Sequence, residues 1–402
     1  MFLKSKSLIK NPCAWYLGAW CLYYLQGTLY SRGSVIARLL ILLLILVSLI
    51  HAYRIFQTPQ KPIYFKGLNA LIIMYTVYGL FLFLTDGLVV KGIIKTVPTF
   101  YYLKENYIAL LPIYSCYYYT KKGYLTEELF SLFAIIFVFV GIAFYYNIQR
   151  LTIETLMESG IDVDEVTNNS GYVILAVLPS LLILRKKPIL QYIAIGVCVL
   201  FVILSFKRGA MLCSAIFLLL FARDRLKNRR GLRKALILMT IAIGFVFISQ
   251  FVLRLFASSD YFAYRVEQTL EGESSGRDGI YSNILNHYFN EAGIVQKLIG
   301  YGANGTIKVF TNYAHNDWLE ILTNQGFLGI VVFISYCVCF YKTIRKRNIT
   351  LDSRLALLTI FVMFLLQSFF SAGITNTVIF TSSMMGFALA DGFYSEDSTC
   401  LK

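Results

Sequence analysis

Two adjacent cations occupy a short turn between two apolar runs, in the segment Ser205-Phe206-Lys207-Arg208-Gly209. Arg208 opens the second run, where the N-terminus of a helix would add free N–H groups and positive potential. Arginine also binds phosphate oxygens through two parallel hydrogen bonds. The pair therefore indicates either an anion site or two side chains that reach along lipid to its phosphate groups, and the spacing alone favours neither.

A histidine lies where the longest polar segment of the chain meets another apolar run. His315 is followed by Asn316, Asp317 and Glu320. The positive end of a helix disfavours the imidazolium ion, so we expect His315 to be neutral near pH 7, as a general base must be. Asp317 or Glu320 could orient the imidazole, although both fit equally well as ordinary acids of a first helical turn. The other two histidines have no such setting, and we assign them no chemistry.

Two more polar segments precede His315. Arg277 lies near the start of a helix predicted over 280–299, and a local ion pair with Asp278 or Glu273 is its simplest interpretation. The glycine-rich segment 300–305 has the composition of a phosphate-binding loop, but no Lys-Ser/Thr pair follows it. Taken alone, this segment is a flexible turn.

Several other chemistries lack their residues in this chain. The sequence contains no Walker loop for ATP, no Cys/His cluster with zinc spacing and no Gly-x-Ser-x-Gly motif. The 8 cysteines fall mostly inside apolar runs, as small core residues do, and the long polar segment contains none. We therefore expect neither a metal nor a cofactor.

The apolar runs around these residues have the length that a helix needs to cross a membrane. Hydrophobic residues make up 57% of the 402 residues and charged residues only 15%. Because lipid offers the backbone no hydrogen-bond partner, such runs must be helical. We predict an all-α integral membrane protein, a single domain over residues 1–402, with about twelve transmembrane helices. They are placed near 12–30, 34–53, 67–85, 104–120, 126–147, 170–184, 188–205, 209–222, 235–256, 317–341, 354–371 and 374–391.

Lysine and arginine concentrate on one side of this alternation, which predicts the orientation. Cytoplasmic loops carry an excess of these residues, so both termini are expected in the cytoplasm. The basic inner segments are 54–66, 121–122, 185–187, 223–234 and 342–347. An acidic outer loop covers 148–169, and the long extracytoplasmic loop 257–316, between helices nine and ten, is expected to carry short surface helices. The net charge of +15 is thus a topology signal; it can also hold anionic lipid and requires no nucleic acid.

Four motifs between residues 205 and 335 occur together. They are Ser-x-x-Arg-Gly-Ala, Ser-Gly-Arg, Gly-Tyr-Gly-Ala-Asn-Gly and His-Asn-Asp-Trp-Leu-Glu-Ile-Leu-x-Asn-x-Gly-Phe-Leu-Gly, in that order. The combination resembles the O-antigen ligase and polymerase superfamily over about a third of the chain. Elsewhere the similarity is one of topology alone. This sequence departs from the usual Ser-Arg pair by placing Phe206 and Lys207 before Arg208.

The resemblance implies a metal-independent glycosyltransferase with GT-C-type architecture. Such enzymes move a glycan from an undecaprenyl-pyrophosphate carrier to an acceptor hydroxyl on the extracytoplasmic face of the bacterial inner membrane. At matching positions it implies that Arg208 and Arg277 bind the pyrophosphate and that His315 is the base, with Lys207 as a further pyrophosphate ligand. The supporting residues that it implies are Asn316, Asp317, Glu320 and Gly302.

Three functions compete under this resemblance. We favour a polymerase that joins lipid-linked repeat units into O-antigen or capsular polysaccharide. A ligase would instead transfer finished glycan to lipid A core or to another acceptor, and a flippase or transporter would perform no catalysis. The expected partners are the lipid-linked donor, a glycan or lipid-linked acceptor and membrane lipid, with a chain-length regulator and a flippase as further candidates.

Overall fold

The computed structural model describes residues 8–84, 99–158, 168–227, 277–310, 313–346, 349–375 and 378–397, with five isolated positions between 231 and 267. Within these ranges every regular element is a helix. The α-helices are α1 Pro12–Tyr24, α2 Val35–Gln57, α3 Tyr64–Leu84, α4 Thr99–Leu110, α5 Pro112–Lys121, α6 Glu127–Glu158, α7 Gly171–Leu175, α8 Pro188–Leu204, α9 Arg208–Lys227, α10 Arg277–Asn286, α11 Ile294–Ile299, α12 Gly305–Phe310, α13 Asp317–Ile344, α14 Leu351–Phe370 and α15 Ile379–Asp397.

The helices lie where the apolar runs predict them, but two predicted spans are interrupted. The run at 104–120 forms α4 and α5, because Pro112 lacks an N–H and begins a new helix. The run at 170–184 forms the short α7 and then a 3₁₀ helix, Leu178–Lys186, with Pro179 in its first turn. Proline therefore divides both runs where hydropathy alone predicted one helix.

Both predicted outer loops contain helices, and only the first has more helix than expected. Helix α6 continues to Glu158, so the first half of the loop 148–169 is helical. The helix predicted over 280–299 is divided into α10, a π-helical turn at His287–Glu291, and α11. Gly293 is extended between them, with ψ of 165°. The predicted span 235–256 and the loop up to residue 276 lie, apart from isolated positions, outside the described residues.

Four of the described helices are long and apolar enough to cross a membrane, judged by length and composition. They are α2, α6, α13 and α14. The chain is thus an all-helical membrane protein over the ranges described. The number of about twelve spans, the orientation and the GT-C-type architecture remain predictions.

Small residues allow the helices to pack closely. A Cβ atom added to Gly386 of α15 would lie 2.5 Å from both the Cβ of Cys116 and the backbone nitrogen of Tyr117, in α5. Gly67 of α3 approaches the backbone of Tyr336 in α13 in the same way, at 2.8 Å. Small residues at such contacts let membrane helices approach one another. The 7 described cysteines are free, and five of them are buried, as expected of core residues.

We expect Gly386→Ala to destabilise the protein by about 1–3 kcal/mol, because the new methyl group overlaps the backbone of α5. The control is Gly18→Ala in α1, where an added Cβ meets no atom within 4 Å. Thermal unfolding in detergent should show a lower midpoint for the first variant only. Equal midpoints would contradict the close packing of α5 against α15.

Candidate active site

The site forms where the end of α14 meets the start of α13. The last carbonyl groups of a helix have no partner within it. Asn316 donates from Nδ2 to the carbonyl of Phe369, at 3.1 Å, while its Oδ1 accepts the backbone N–H groups of Trp318 and Leu319, at 2.9 and 3.2 Å. One buried side chain thus begins α13 and holds it against the end of α14.

Arg277 binds the neighbouring carbonyl. It is the first residue of α10, and its Nη1 donates to the oxygen of Phe370 at 2.5 Å. A guanidinium group has five N–H donors in a planar fork. Since this contact uses one of them, the same group can hold an anion with others. The structure thus adds the Phe370 carbonyl as a partner of Arg277, while Glu273 lies outside the described residues.

His315 lies next to this junction in the left-handed region of backbone conformation, with φ of 53°. Partial removal from water lowers the pKa of His315, and the positive charges of Arg277 and Lys207 lower it further. Both cations are therefore near enough to His315 to act on its charge. A lowered pKa favours the neutral imidazole, and its causes are burial and these two cations, whereas the sequence analysis based the same expectation on the helix N-terminus.

The carboxylates of Glu320 and Asp317 hold backbone around His315. Oε1 of Glu320 accepts the N–H of Ala314 at 2.5 Å, and the same carboxyl group lies close to the backbone of His315. Oδ2 of Asp317 accepts the N–H of Ile374 at 3.0 Å. Both carboxylates thus fix the segments around the histidine, and in the described part of the chain neither hydrogen-bonds the imidazole.

The backbone that carries Lys207 and Arg208 approaches Phe370 from a third segment of the chain. Phe206, buried with φ of 52°, forms the turn after α8, and α9 then begins at Arg208. A Cβ added to Gly209 would lie 2.5 Å from the hydroxyl of Tyr172 and 3.7 Å from the Cβ of Phe370. The start of α9 therefore abuts the residue whose carbonyl Arg277 binds. Arg208 is half-buried there.

The glycine-rich segment 300–305 has a structural position. Helix α13 is broken at Gly326, with φ of 65° and ψ of −160°, which frees carbonyl groups of the preceding turn. The N–H groups of Tyr301 and Gly302 donate to the carbonyls of Thr323 and Asn324, at 2.8 and 2.9 Å. Because these N–H groups are satisfied within the protein, we assign Gly302 a supporting role and not a phosphate contact.

Sequence reasoning missed the segment 368–374 on which the site is built. It offers backbone groups to Arg277, Asn316 and Asp317, and the Ser368 hydroxyl accepts the indole N–H of Trp318 at 3.0 Å. Backbone groups leave no mark in a sequence, so the only signal was the end of an apolar run. No group of His, Cys, Asp or Glu side chains that could hold a metal ion occurs among the described residues.

Comparison with known proteins identifies the region that carries the site. Residues 193–334 match the family model described as O-antigen ligase. This range covers about a third of the chain and includes Lys207, Arg208, Arg277 and His315. Members of this family are glycosyltransferase-like enzymes. A search of curated proteins gave no match. The family match confirms the resemblance of the chain to the O-antigen ligase and polymerase superfamily.

Proposed function

We propose that this protein polymerises undecaprenyl-pyrophosphate-linked oligosaccharide repeat units into O-antigen or capsular polysaccharide. One observation carries the proposal: Arg277 and Lys207 lie near enough to His315 to lower its pKa, and Arg277 bonds the carbonyl of Phe370 at the end of α14, next to the start of α9. Cations can hold a pyrophosphate, and a neutral imidazole can accept a proton. Both are needed for glycosyl transfer from a lipid pyrophosphate.

In the proposed reaction, the acceptor oxygen bonds to the anomeric carbon of the donor as the bond from that carbon to the pyrophosphate breaks. His315 accepts the acceptor's hydroxyl proton, and the lipid pyrophosphate leaves with the electron pair and gains negative charge. Arg208 and Arg277 stabilise this charge, with Lys207 beside them. Cations that are already in place when charge develops need no reorganisation, which makes such stabilisation effective.

The depth of the site suits a donor with a lipid tail. The start of α13 and the end of α14 are both ends of candidate membrane-crossing helices. Ends of such helices lie near the membrane surface. A pyrophosphate held there by Arg208 and Arg277 leaves its polyprenyl chain in the hydrocarbon layer. The acceptor glycan then approaches from the aqueous side.

The charge distribution supports an extracytoplasmic site in the bacterial inner membrane. Arg185, from the basic segment 185–187, pairs with Asp352 in the first turn of α14. The 20 residues of α14 span about 30 Å, and the candidate site lies at its opposite end. If basic segments face the cytoplasm, the site faces outward, with both termini in the cytoplasm.

Two alternatives are separated by experiment. The family match fits a ligase as well as a polymerase, since the same site would serve both, and the two differ in the acceptor. A flippase or transporter would need no base at His315. We prefer the polymerase over the ligase, because the chain fits a general enzyme of polysaccharide assembly. Its proposed partners are a chain-length regulator and a flippase.

Arg208→Ala and Arg277→Ala should each lower the turnover of lipid-linked donor by about 10²-fold or more, because each removes a group that stabilises the leaving pyrophosphate. Arg277→Lys should also be impaired, since lysine keeps the charge but loses the planar fork. The measurement is product formation by purified variants in lipid nanodiscs. The control is Arg345→Ala, at the far end of α13. Wild-type turnover in both alanine variants would refute the pyrophosphate assignment.

His315→Ala should lower the rate by about 10²–10⁴-fold, the usual contribution of a general base. The measurement uses cells that express only this variant. Their surface glycan is run on gels beside extracts of their lipid carrier. A ladder reduced to a single attached repeat identifies a polymerase. Long glycan retained on the carrier identifies a ligase, and an unchanged ladder contradicts a catalytic His315.

The pH dependence tests the shared electrostatics of the site. Neutral His315 is the active form, so activity should fall as the pH drops through its lowered pKa, below the ordinary value near 6.5. Lys207→Gln removes a positive charge and should raise this pKa, which moves the acidic limb of kcat/KM to higher pH. An acidic limb that is the same in both proteins would show that Lys207 does not act on the base.

A further inference from the structure

His287, to which the sequence analysis assigned no chemistry, is in direct contact with two other polar side chains. Its Nδ1 lies 2.7 Å from Oε2 of Glu291, and its Nε2 lies 2.7 Å from the hydroxyl of Tyr301. The ring also packs against Phe310 at 5.4 Å and leaves only 21% of its side chain exposed. Both ring nitrogens are therefore used inside the protein, by partners from different segments.

The backbone at His287 is shaped for these contacts. A π-helical turn covers His287–Glu291, in which the carbonyl of His287 accepts the N–H of Ala292 at 2.8 Å. Such turns are uncommon and often occur at functional sites. If Nδ1 carries the proton of a neutral ring, it donates to the Glu291 carboxylate, and Nε2 accepts a hydrogen bond from the Tyr301 hydroxyl. The Glu291 carboxylate thereby selects the tautomer in which Nε2 can accept a hydrogen bond from Tyr301.

The partners of His287 connect the two halves of the candidate site. Tyr301 belongs to the segment bound to the broken turn of α13, through its N–H and the carbonyl of Thr323. His287 directly follows α10, whose first residue is Arg277. Helix α10 is thus held at one end by the contact of Arg277 with Phe370 and at the other by His287 with Tyr301.

We propose that His287 is a positioning residue, which, through Glu291 and Tyr301, fixes α10 to α13 and so sets Arg277 relative to His315. It touches no substrate. Arg277 keeps its bond to Phe370 when the second attachment is lost, but α10 can then pivot about that point. Placement of the pyrophosphate suffers, whereas the acceptor side, built on α13, does not. This inference rests on the proposed role of Arg277 in donor binding.

The test uses the full-length protein in nanodiscs and the variants His287→Ala, His287→Gln, Tyr301→Phe and the double variant His287→Ala/Tyr301→Phe. The matched control is Tyr288→Phe, which removes a tyrosine hydroxyl that donates instead to the carbonyl of Lys297, at 2.7 Å. Two quantities are measured: hydrogen exchange of the α10 amides, and KM for lipid-linked donor and for acceptor.

Tyr301→Phe should raise the donor KM about 2- to 10-fold, as expected from loss of one hydrogen bond, without change in the acceptor KM. Exchange in α10 should accelerate, His287→Gln should be milder than His287→Ala, and the double variant should be no worse than His287→Ala alone. Tyr288→Phe should match the wild type.

Unchanged exchange and donor KM in Tyr301→Phe, or additive effects in the double variant, would overturn the positioning role. A different result is also informative: Tyr301→Phe speeds hydrogen exchange in α10, but the wild-type protein itself transfers no glycan. In that case the attachment of α10 is real and the proposed function is wrong.

Discussion

Helix α14 ends in carbonyl groups that have no hydrogen-bond partner within the helix. The residues that bond these carbonyls form the candidate site. An unpaired backbone carbonyl near lipid costs several kcal/mol. Asn316 and Arg277 donate to two successive carbonyls, those of Phe369 and Phe370. The need for hydrogen bonds to the last carbonyl groups of α14 thus brings together the loop before α13 and the start of α10.

A second backbone constraint lies in α13, at the break at Gly326. Gly326 interrupts α13, and the carbonyls exposed by the break accept the N–H groups of the segment 300–305. A Cβ added to Gly300 would lie 2.4 Å from the backbone of Asn324, so no larger residue fits at this crossing. Near His315 the same loop region is held by Glu320, which bonds the Ala314 N–H and the Thr306 hydroxyl. The histidine backbone is therefore positioned before any substrate arrives.

Different side chains position the backbone of the candidate site and take part in the proposed reaction. Carboxyl and amide groups around His315 bond backbone groups, while burial and two cations act on the imidazole itself. Positive neighbours lower its pKa, and in the proposed function the same cations bind an anion. A base beside an anion site is what transfer from a pyrophosphate donor requires. The tertiary contacts of Arg277 thus serve both parts of the proposed reaction.

The sequence by itself determined the helical membrane architecture, because apolar runs of sufficient length leave the backbone no other choice. It also made Arg208 and His315 candidates, because charged and titratable residues at the ends of such runs are conspicuous, whereas Arg277 became a candidate only through the family resemblance. Only the tertiary structure decided how these residues meet. The bonds to Phe369 and Phe370 involve backbone oxygens, which every residue carries and no sequence pattern distinguishes. The pairing of residues 287 and 301 likewise depends on a π-helical turn and on a break in α13, and both arise from packing between segments distant in the chain.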